Sequence, residues 1–186
     1  MRILHLDTSI NGVNSASRRI SAEVVRKLAT GGRDVNVIYR DLAETPLPHL
    51  TLTEFTAEAS RAALTEFQAA DVVVIGTGMY NFTVPSQLKA SIDRILVAGQ
   101  TFQYTVAGPR GLAGGKRIVI ALARGGFYAP GSPAAALEHA ETYLRGVFAF
   151  IGVNHVEFVN ADGTAMPAGR DASIKRAEQQ AAALAA

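Results

Sequence analysis

Apolar residues along this chain gather in two alternating patterns. Short apolar-rich runs at residues 2–7, 35–39, 72–75, 117–122 and 153–159 are too brief for free-standing helices and read as strands. The run Val72-Val73-Val74-Ile75 has no polar interruption, the mark of a parallel strand buried on both faces. Between the runs, apolar positions recur at helical spacing. Ile20, Val24, Val25 and Leu28 predict a helix that stops at Gly31-Gly32. Residues 53–70 predict another, capped by Thr53, with a thin apolar face of Phe55, Ala59, Ala62, Ala63 and Phe67. Residues 86–97 predict a third, with Pro85 in its first turn, where a missing N–H costs nothing. Residues 133–150 and the alanine-rich stretch 170–185 predict the last two. Residues 41–52 and 100–115, punctuated by proline and glycine, read as irregular connections.

Strand and helix thus alternate from end to end. That predicts one α/β domain over residues 1–186: a doubly wound, flavodoxin-like, five-stranded parallel sheet in the order 2-1-3-4-5, with helices on both faces.

Composition narrows the chemistry. Hydrophobic residues make up 48 % of the chain, enough for a sizeable core. With no cysteine, disulfides, thiolate catalysis, iron–sulfur ligation and zinc–thiolate sites are excluded. The net charge is only +2, and basic residues occur as scattered pairs such as Arg18-Arg19 and Lys116-Arg117, so no nucleic-acid partner is expected. No signal-peptide pattern and no membrane-spanning apolar stretch are present, so the expected setting is cytoplasmic. His5, His49, His139 and His155 lack metal-ligand spacing, no Gly-x-Ser-x-Gly elbow occurs, and Glu138 and Glu141 read as a solvated helical face. No metal is expected, and the chain offers no acid–base or nucleophilic machinery of its own. Such a protein suits chemistry carried by a bound cofactor.

Three unusual loops follow strands and should meet at one edge of the sheet. Residues 8–17 hold Thr8, Ser9, Ser15 and Ser17 with Asn11, Gly12 and Asn14, and no acid, just before a helix. Hydroxyls, amides and a helix N-terminus suit a phosphate monoester; ordinary capping explains one serine but hardly the cluster. The loop is neither a Walker motif nor a dinucleotide fingerprint. Residues 76–82 end in Met79-Tyr80-Asn81-Phe82, which either folds back on the core or covers a flat ligand. Residues 123–131 contain Arg124-Gly125-Gly126-Phe127-Tyr128, either a glycine turn with a surface arginine or a wall for a heterocycle. A phosphate on the first loop and a flat ring on the other two describe flavin mononucleotide (FMN).

The same residues carry a family resemblance. Met79-Tyr80-Asn81-Phe82, Pro85-Ser86-Gln87-Leu88-Lys89 and Asp93 resemble the FMN-dependent NADH:azoreductases and quinone reductases. So do Ser9, Ser15-Ala16-Ser17, Asp41-Leu42-Ala43, residues 99–104, Gly108-Pro109-Arg110-Gly111-Leu112, Arg124-Gly125-Gly126 and Phe148-Ala149-Phe150-Ile151-Gly152, in order over most of the chain. The resemblance implies a flavodoxin-like homodimer with its active site at the interface. It would use NADH or NADPH to reduce quinones, azo compounds or nitroaromatics through bound FMN, by a ping-pong, two-electron route. Carried over, Ser9, Ser15, Ala16 and Ser17 would hold the phosphate. Met79, Tyr80, Asn81 and Phe82 would pass under the ring, and Ala123, Arg124, Gly125 and Gly126 would contact its pyrimidine side. Tyr104 would lie over the flavin, and Phe150 would reach the partner's pocket. Arg124 and backbone amides are the candidates for stabilising charge on reduced flavin. Two departures stand out: residues 50–70 look short for the family, and Ala123 replaces an expected serine. The rival reading is a flavodoxin-type electron carrier serving a protein partner, although such carriers present acidic faces and this chain has no acidic run.

Overall fold

The computed structural model describes residues 1–30 and 34–185. Its strands are β1 (Arg2–Asp7), β2 (Asn36–Asp41), β3 (Val72–Gly78), β4 (Phe102–Thr105), β5 (Gly108–Gly111), β6 (Arg117–Ala123) and β7 (Val156–Ala161). Its α-helices are α1 (Ala16–Ala29), α2 (Leu52–Phe55), α3 (Glu58–Ala69), α4 (Ser86–Ile95), α5 (Ala140–Phe150) and α6 (Arg170–Ala182). Five strands form one parallel sheet in the order β2-β1-β3-β6-β7; with β4 and β5 set aside, this is the expected 2-1-3-4-5.

Both sheet faces are buried, which is why the central strands are apolar throughout rather than alternating. Leu4, Val73, Ile75, Ile118 and Ile120 face α3, α4 and α5, where Phe67, Leu88, Ile92, Leu144 and Phe148 meet them. Ile3, Val72, Val74, Val119 and Ala121 face α1 and α6, against Ile20, Val24, Leu28, Ala177 and Ala181. The register sets Leu4 beside Val73 and Val73 beside Ile118, so the large side chains of adjacent strands lie in rows under the helices. Among the described residues, no helix is long and apolar enough to cross a membrane.

Several boundaries differ from the pattern-based expectation. The single helix expected over 53–70 is broken into α2 and α3, because the Glu54 carbonyl is taken by the Ala57 N–H and the Ser60 hydroxyl. Thr51, not Thr53, caps α2, accepting the Glu54 N–H at 3.1 Å. Strand β3 does not end at Gly76 but continues to Gly78. A Cβ on Gly76 would stand 2.1 Å from Asp7 Oδ1, so this glycine admits a neighbouring carboxylate rather than making a turn. Part of the expected irregular stretch 100–115 is the antiparallel hairpin β4–β5. Gly108-Pro109-Arg110-Gly111 has little strand propensity of its own, and its pairing with β4 decides the conformation. The helix expected over 133–150 starts only at Ala140, after a 3-10 turn at Ala135–Leu137. There the Glu138 carboxylate accepts the N–H groups of Ala140, Glu141 and Thr142 at 3.0, 2.7 and 3.1 Å. Helix α4 stops two residues earlier than expected, α6 stops three residues earlier, and β7 starts three residues later. The expected stop at Gly31-Gly32 lies outside the described residues; α1 ends at Ala29.

Candidate functional site

Parallel strands aim their carboxyl ends at one edge of the sheet. Five loops leave that edge: residues 8–15 after β1, 42–51 after β2, 79–85 after β3, 124–139 after β6 and 162–169 after β7. β1 and β3 are neighbours, but the chain leaves them for opposite halves of the sheet, and at such a switch point a crevice opens. A cavity of about 270 Å³ lies there.

The first turn of α1 forms one wall. Ser9, Ser15 and Ser17 line the cavity and are all buried. Ser15 caps α1, its hydroxyl accepting the Arg18 N–H at 3.3 Å, and Ser17 Oγ lies 3.1 Å from Ser15 Oγ. The leading N–H groups of the helix have no helical acceptor. Arg170, at the start of α6, lines the opposite side and donates to the Asn14 carbonyl at 2.8 Å. No aspartate or glutamate lines the cavity among the described residues. Hydroxyls, helix N–H groups and one guanidinium without a carboxylate make a site for a doubly charged anion.

A partly buried polar network braces this loop. Arg18 Nη2 donates to the Ser9 carbonyl at 2.9 Å and to Asp41 Oδ1 at 2.8 Å. Asp7 accepts the Ser21 hydroxyl at 2.8 Å and the Tyr39 hydroxyl at 3.2 Å, and His5 Nε2 lies 2.9 Å from Ser21 Oγ. His5 is thus a packed histidine. The hydrogen bond from Arg18 holds the Asp41 carboxyl below its ordinary value. Burial, reinforced by Asp7 and Asp41, pushes the Tyr39 hydroxyl up to about 12, so it stays a neutral donor.

The second loop is a tight turn. The Tyr80 N–H donates to the Thr83 carbonyl at 2.9 Å and the Thr83 N–H returns to the Tyr80 carbonyl at 3.2 Å. Between them Asn81 and Phe82 have φ of 46° and 73°, a left-handed pair that a two-residue hairpin turn requires. Asparagine tolerates that region; phenylalanine is strained there. Met79 and Tyr80 line the cavity, whereas Asn81 and Phe82 sit at the exposed tip of the turn. Their N–H groups take no partner among the described residues.

The third loop departs most from expectation. Ala123 and Gly125 line the cavity, but the Arg124 side chain does not. It is buried, with Nε 2.6 Å from Asp162, Nη1 3.5 Å from Glu141 and 4.0 Å from Glu138. Its N–H and carbonyl are also taken, by Ala161 and Thr164. Arg124 therefore ties β6 to β7 and α5, and its guanidinium faces carboxylates instead of the cleft. Glu138, far from being a solvated face, is pushed up by burial but pulled further down by the Glu141 and Thr142 N–H groups and Arg124. The N–H groups of Gly125 and Gly126 take no partner among the described residues.

Tyr104 and Phe150 lie elsewhere. Helices α4 and α5 run antiparallel to the sheet, starting at the cleft edge and descending about 15 Å at ~1.5 Å per residue. Phe150 ends α5 at the far edge, packed on Phe102 with ring centroids 4.7 Å apart. The β4–β5 hairpin is rooted there, with Gly111 against Gly152, and carries Tyr104, which is 74 % exposed, towards its tip. Neither aromatic lines its own chain's cleft.

Sequence reasoning missed Thr164, Ala165 and Arg170 as cavity walls, whereas Asn11 and Gly78 lie in loops it had assigned to the site. The signal for Thr164 and Ala165 was available: residues 162–169 follow a strand as the other loops do, and belong at the same edge. Among the described residues no group of three or more acidic or histidine side chains is placed to hold a metal.

A family model described as flavodoxin-like fold matches residues 1–185. FMN-dependent NADH:quinone oxidoreductase 2 of Bradyrhizobium diazoefficiens is 50 % identical, over 99 % of this chain and 98 % of its own length. The FMN-dependent NADH:quinone oxidoreductase of Methylorubrum populi is 51 % identical over the same shares. The first alignment runs to 199 positions, more than the chain's 186, so that relative carries residues this chain lacks. Among solved structures, an azoreductase from Bacillus anthracis superposes with a TM-score of 0.89 at 26 % identity, covering 98 % of this chain and 97 % of that one. A second B. anthracis structure, an FMN-dependent NADH-azoreductase in complex with FMN, shares the fold with a TM-score of 0.84 at 23 % identity, covering 97 % and 98 %.

Proposed function

Because the chain belongs to the flavodoxin-like family that contains the FMN-dependent NADH:quinone oxidoreductases, we propose that it binds FMN in the cleft at its strand ends. There it passes a hydride from NADH or NADPH to quinones and aromatic azo or nitro compounds. The observation that carries this reading is the anion site: Ser9, Ser15 and Ser17 at the start of α1, with Arg170 opposite and no carboxylate in the wall. Its chemistry fits the FMN phosphate.

Bound FMN supplies the hydride chemistry, accepting two electrons from the nicotinamide and delivering them to the acceptor. The chain's own residues bind, orient and stabilise charge. The three serines and the first N–H groups of α1 hold the phosphate, and Arg170 adds charge to the same wall. Met79 and Tyr80 carry the ring's underside. The unpartnered N–H groups of Asn81, Phe82, Gly125 and Gly126 are available to acceptor atoms on the ring. They take over the stabilising role expected of the Arg124 guanidinium, which its carboxylates already engage. Fixed amides of this kind stabilise developing negative charge without reorganising.

A homodimer completes the site. Tyr104 and Val106 project from the hairpin with 74 % and 111 % exposure, at the end of the molecule remote from the chain's own cleft. Exposed apolar side chains on a rooted hairpin fit a role over a partner's cleft. A cytoplasmic setting, where reduced nicotinamide is supplied, suits the reaction.

Reconstitution with FMN, followed by anaerobic NADH and then a quinone, tests the activity. Retained flavin should bleach in one two-electron step and recover its colour with the quinone; Ser17→Asp, which sets a carboxylate in the anion site, should abolish retention. Mixing Ser17→Asp with Tyr104→Ala tests the shared site. The mixed dimer should be more active than either parent, since one protomer keeps the cofactor site and the other the hairpin tip. A protein that retains no FMN would sink the proposal.

A further inference from the structure

A second cavity, of about 420 Å³, lies on the other side of the β2–β1 half of the sheet from α1, between the sheet, α3 and α4. It shares no residue with the cleft at the strand ends. Its floor is Leu4, Leu6, Val73 and Ile75 of the sheet, and α4 supplies Leu88, Ile92 and Ile95. The third wall is the reason the space exists. Helix α3 presents Ala59, Ala62 and Ala63 at spacings of three and four residues, and methyl groups cannot reach the sheet across the gap. Interiors otherwise pack closely, and an unfilled space forfeits contacts on every lining atom.

Ser91 interrupts the apolar lining. It lies on the same stripe of α4 as Leu88 and Ile92, lines the cavity and is only 6 % exposed. Its hydroxyl makes no hydrogen bond within the described residues, and its oxygen is not among the sealed, unsatisfied polar atoms, so it stays accessible from the cavity it lines. An accessible hydroxyl on an otherwise apolar stripe of α4 is free to bond to a guest in the cavity. At the mouth the walls turn polar. Arg40 of β2 pairs with Glu66 of α3, its Nε donating at 3.0 Å, and Thr45 and Glu44 stand beside them.

We propose that this cavity is a binding site for an uncharged, two-ring aromatic molecule bearing one oxygen, which hydrogen-bonds to Ser91. Apolar walls reject a charged body. Cavities of about 150 Å³ already accept a benzene-sized guest, so this one has room for a fused pair of rings. The Ser91 hydroxyl stands among the apolar side chains of α4 and the sheet, away from the polar mouth, and there it selects one polar substituent and fixes its orientation. The site stands apart from the FMN reading, since no residue is common to the two.

The test uses the full, FMN-loaded chain with 2-naphthol and naphthalene as probes, followed by calorimetry. The expected result is one saturable 2-naphthol site. Ser91→Ala keeps the space and removes the hydroxyl, so it should weaken 2-naphthol about three- to tenfold while leaving naphthalene unchanged. Ser91→Leu and Ala63→Leu fill the space from opposite walls. Both should abolish binding and raise Tm, with FMN retention and quinone turnover unchanged. Xenon-pressurised crystals of the unsubstituted protein give a readout that needs no variant, and density beside Ser91 is expected. Saturable binding that survives both filling variants would place the probe on the flavin and overturn the proposal. So would the absence of saturable binding, or xenon-pressurised crystals with no density in the cavity.

Discussion

The hydroxyl of Tyr80 lies 3.2 Å from that of Ser9, and the same oxygen accepts the Ile10 N–H at 3.1 Å. One side chain from the loop after β3 thereby clasps the loop after β1. Together with the Thr8–Thr77 hydroxyl pair at 2.8 Å, it makes the two loops a single unit. Tyr80→Phe keeps the ring and removes the clasp. FMN affinity should fall about three- to tenfold, the worth of one or two hydrogen bonds, while Tm hardly moves. Flavin fluorescence titration measures the first and a melt the second.

Arg124 is predicted to matter for folding rather than for electron transfer. Its buried guanidinium pairs with Asp162 and lies beside Glu141 and Glu138, so Arg124→Met leaves Asp162 without a cation and removes positive charge from the other two. Losing one partner of such a cluster costs about 3–5 kcal/mol. Denaturant unfolding should show that loss. At a temperature where the variant is folded, the rate of flavin reduction by NADH should stay within about twofold of the parent, as expected for a side chain outside the cleft.

Strain at Phe82 can be isolated by comparing two truncations. Phe82→Gly and Phe82→Ala both lose the ring and its edge contact with Tyr128, 6.4 Å between centroids. Only glycine occupies φ of 73° without penalty. The glycine variant should therefore be the more stable by about 1 kcal/mol, reversing the usual order of the two residues.

Acid should weaken the scaffold of the anion loop. The Arg18 hydrogen bond holds Asp41 below its ordinary value of 3.8. A lowered carboxyl contributes stability that is fully present above its unfolded value and is lost as pH falls through the folded one. Unfolding free energy should thus be flat near neutrality and decline as pH drops below about 4. Asp41→Asn should be less stable at pH 7 and show a shallower decline over that acid range, measured by urea titration at several pH values.

Much of the fold was legible because periodicity reports burial directly. The unbroken Val72-Val73-Val74-Ile75 run could only be a strand covered on both sides, and the structure buries all four. The hairpin was not legible, because Gly108-Pro109-Arg110-Gly111 becomes a strand only when β4 lies beside it. The break between α2 and α3 was hidden for a similar reason. It depends on the Ser60 hydroxyl reaching the Glu54 carbonyl, which residue spacing does not reveal.

By itself the sequence determined the sheet, its strand order and the edge where the hydroxyl-rich and glycine-rich loops meet, since strand–helix alternation and right-handed crossovers leave little freedom. The tertiary structure alone decided what individual side chains face. Arg124 looked like a ligand contact beside two glycines, yet its partner Asp162 lies 38 residues away, just past the end of another strand. Arg170 looked like the first residue of a surface helix, yet it closes the anion site opposite Ser15. Ser91 looked like an ordinary helical serine, yet it opens into a cavity that alanines on another helix leave unfilled. Local pattern reports how deeply an element is buried, whereas the partner of a charged or polar group is set by chain segments distant in sequence and fixed only by packing.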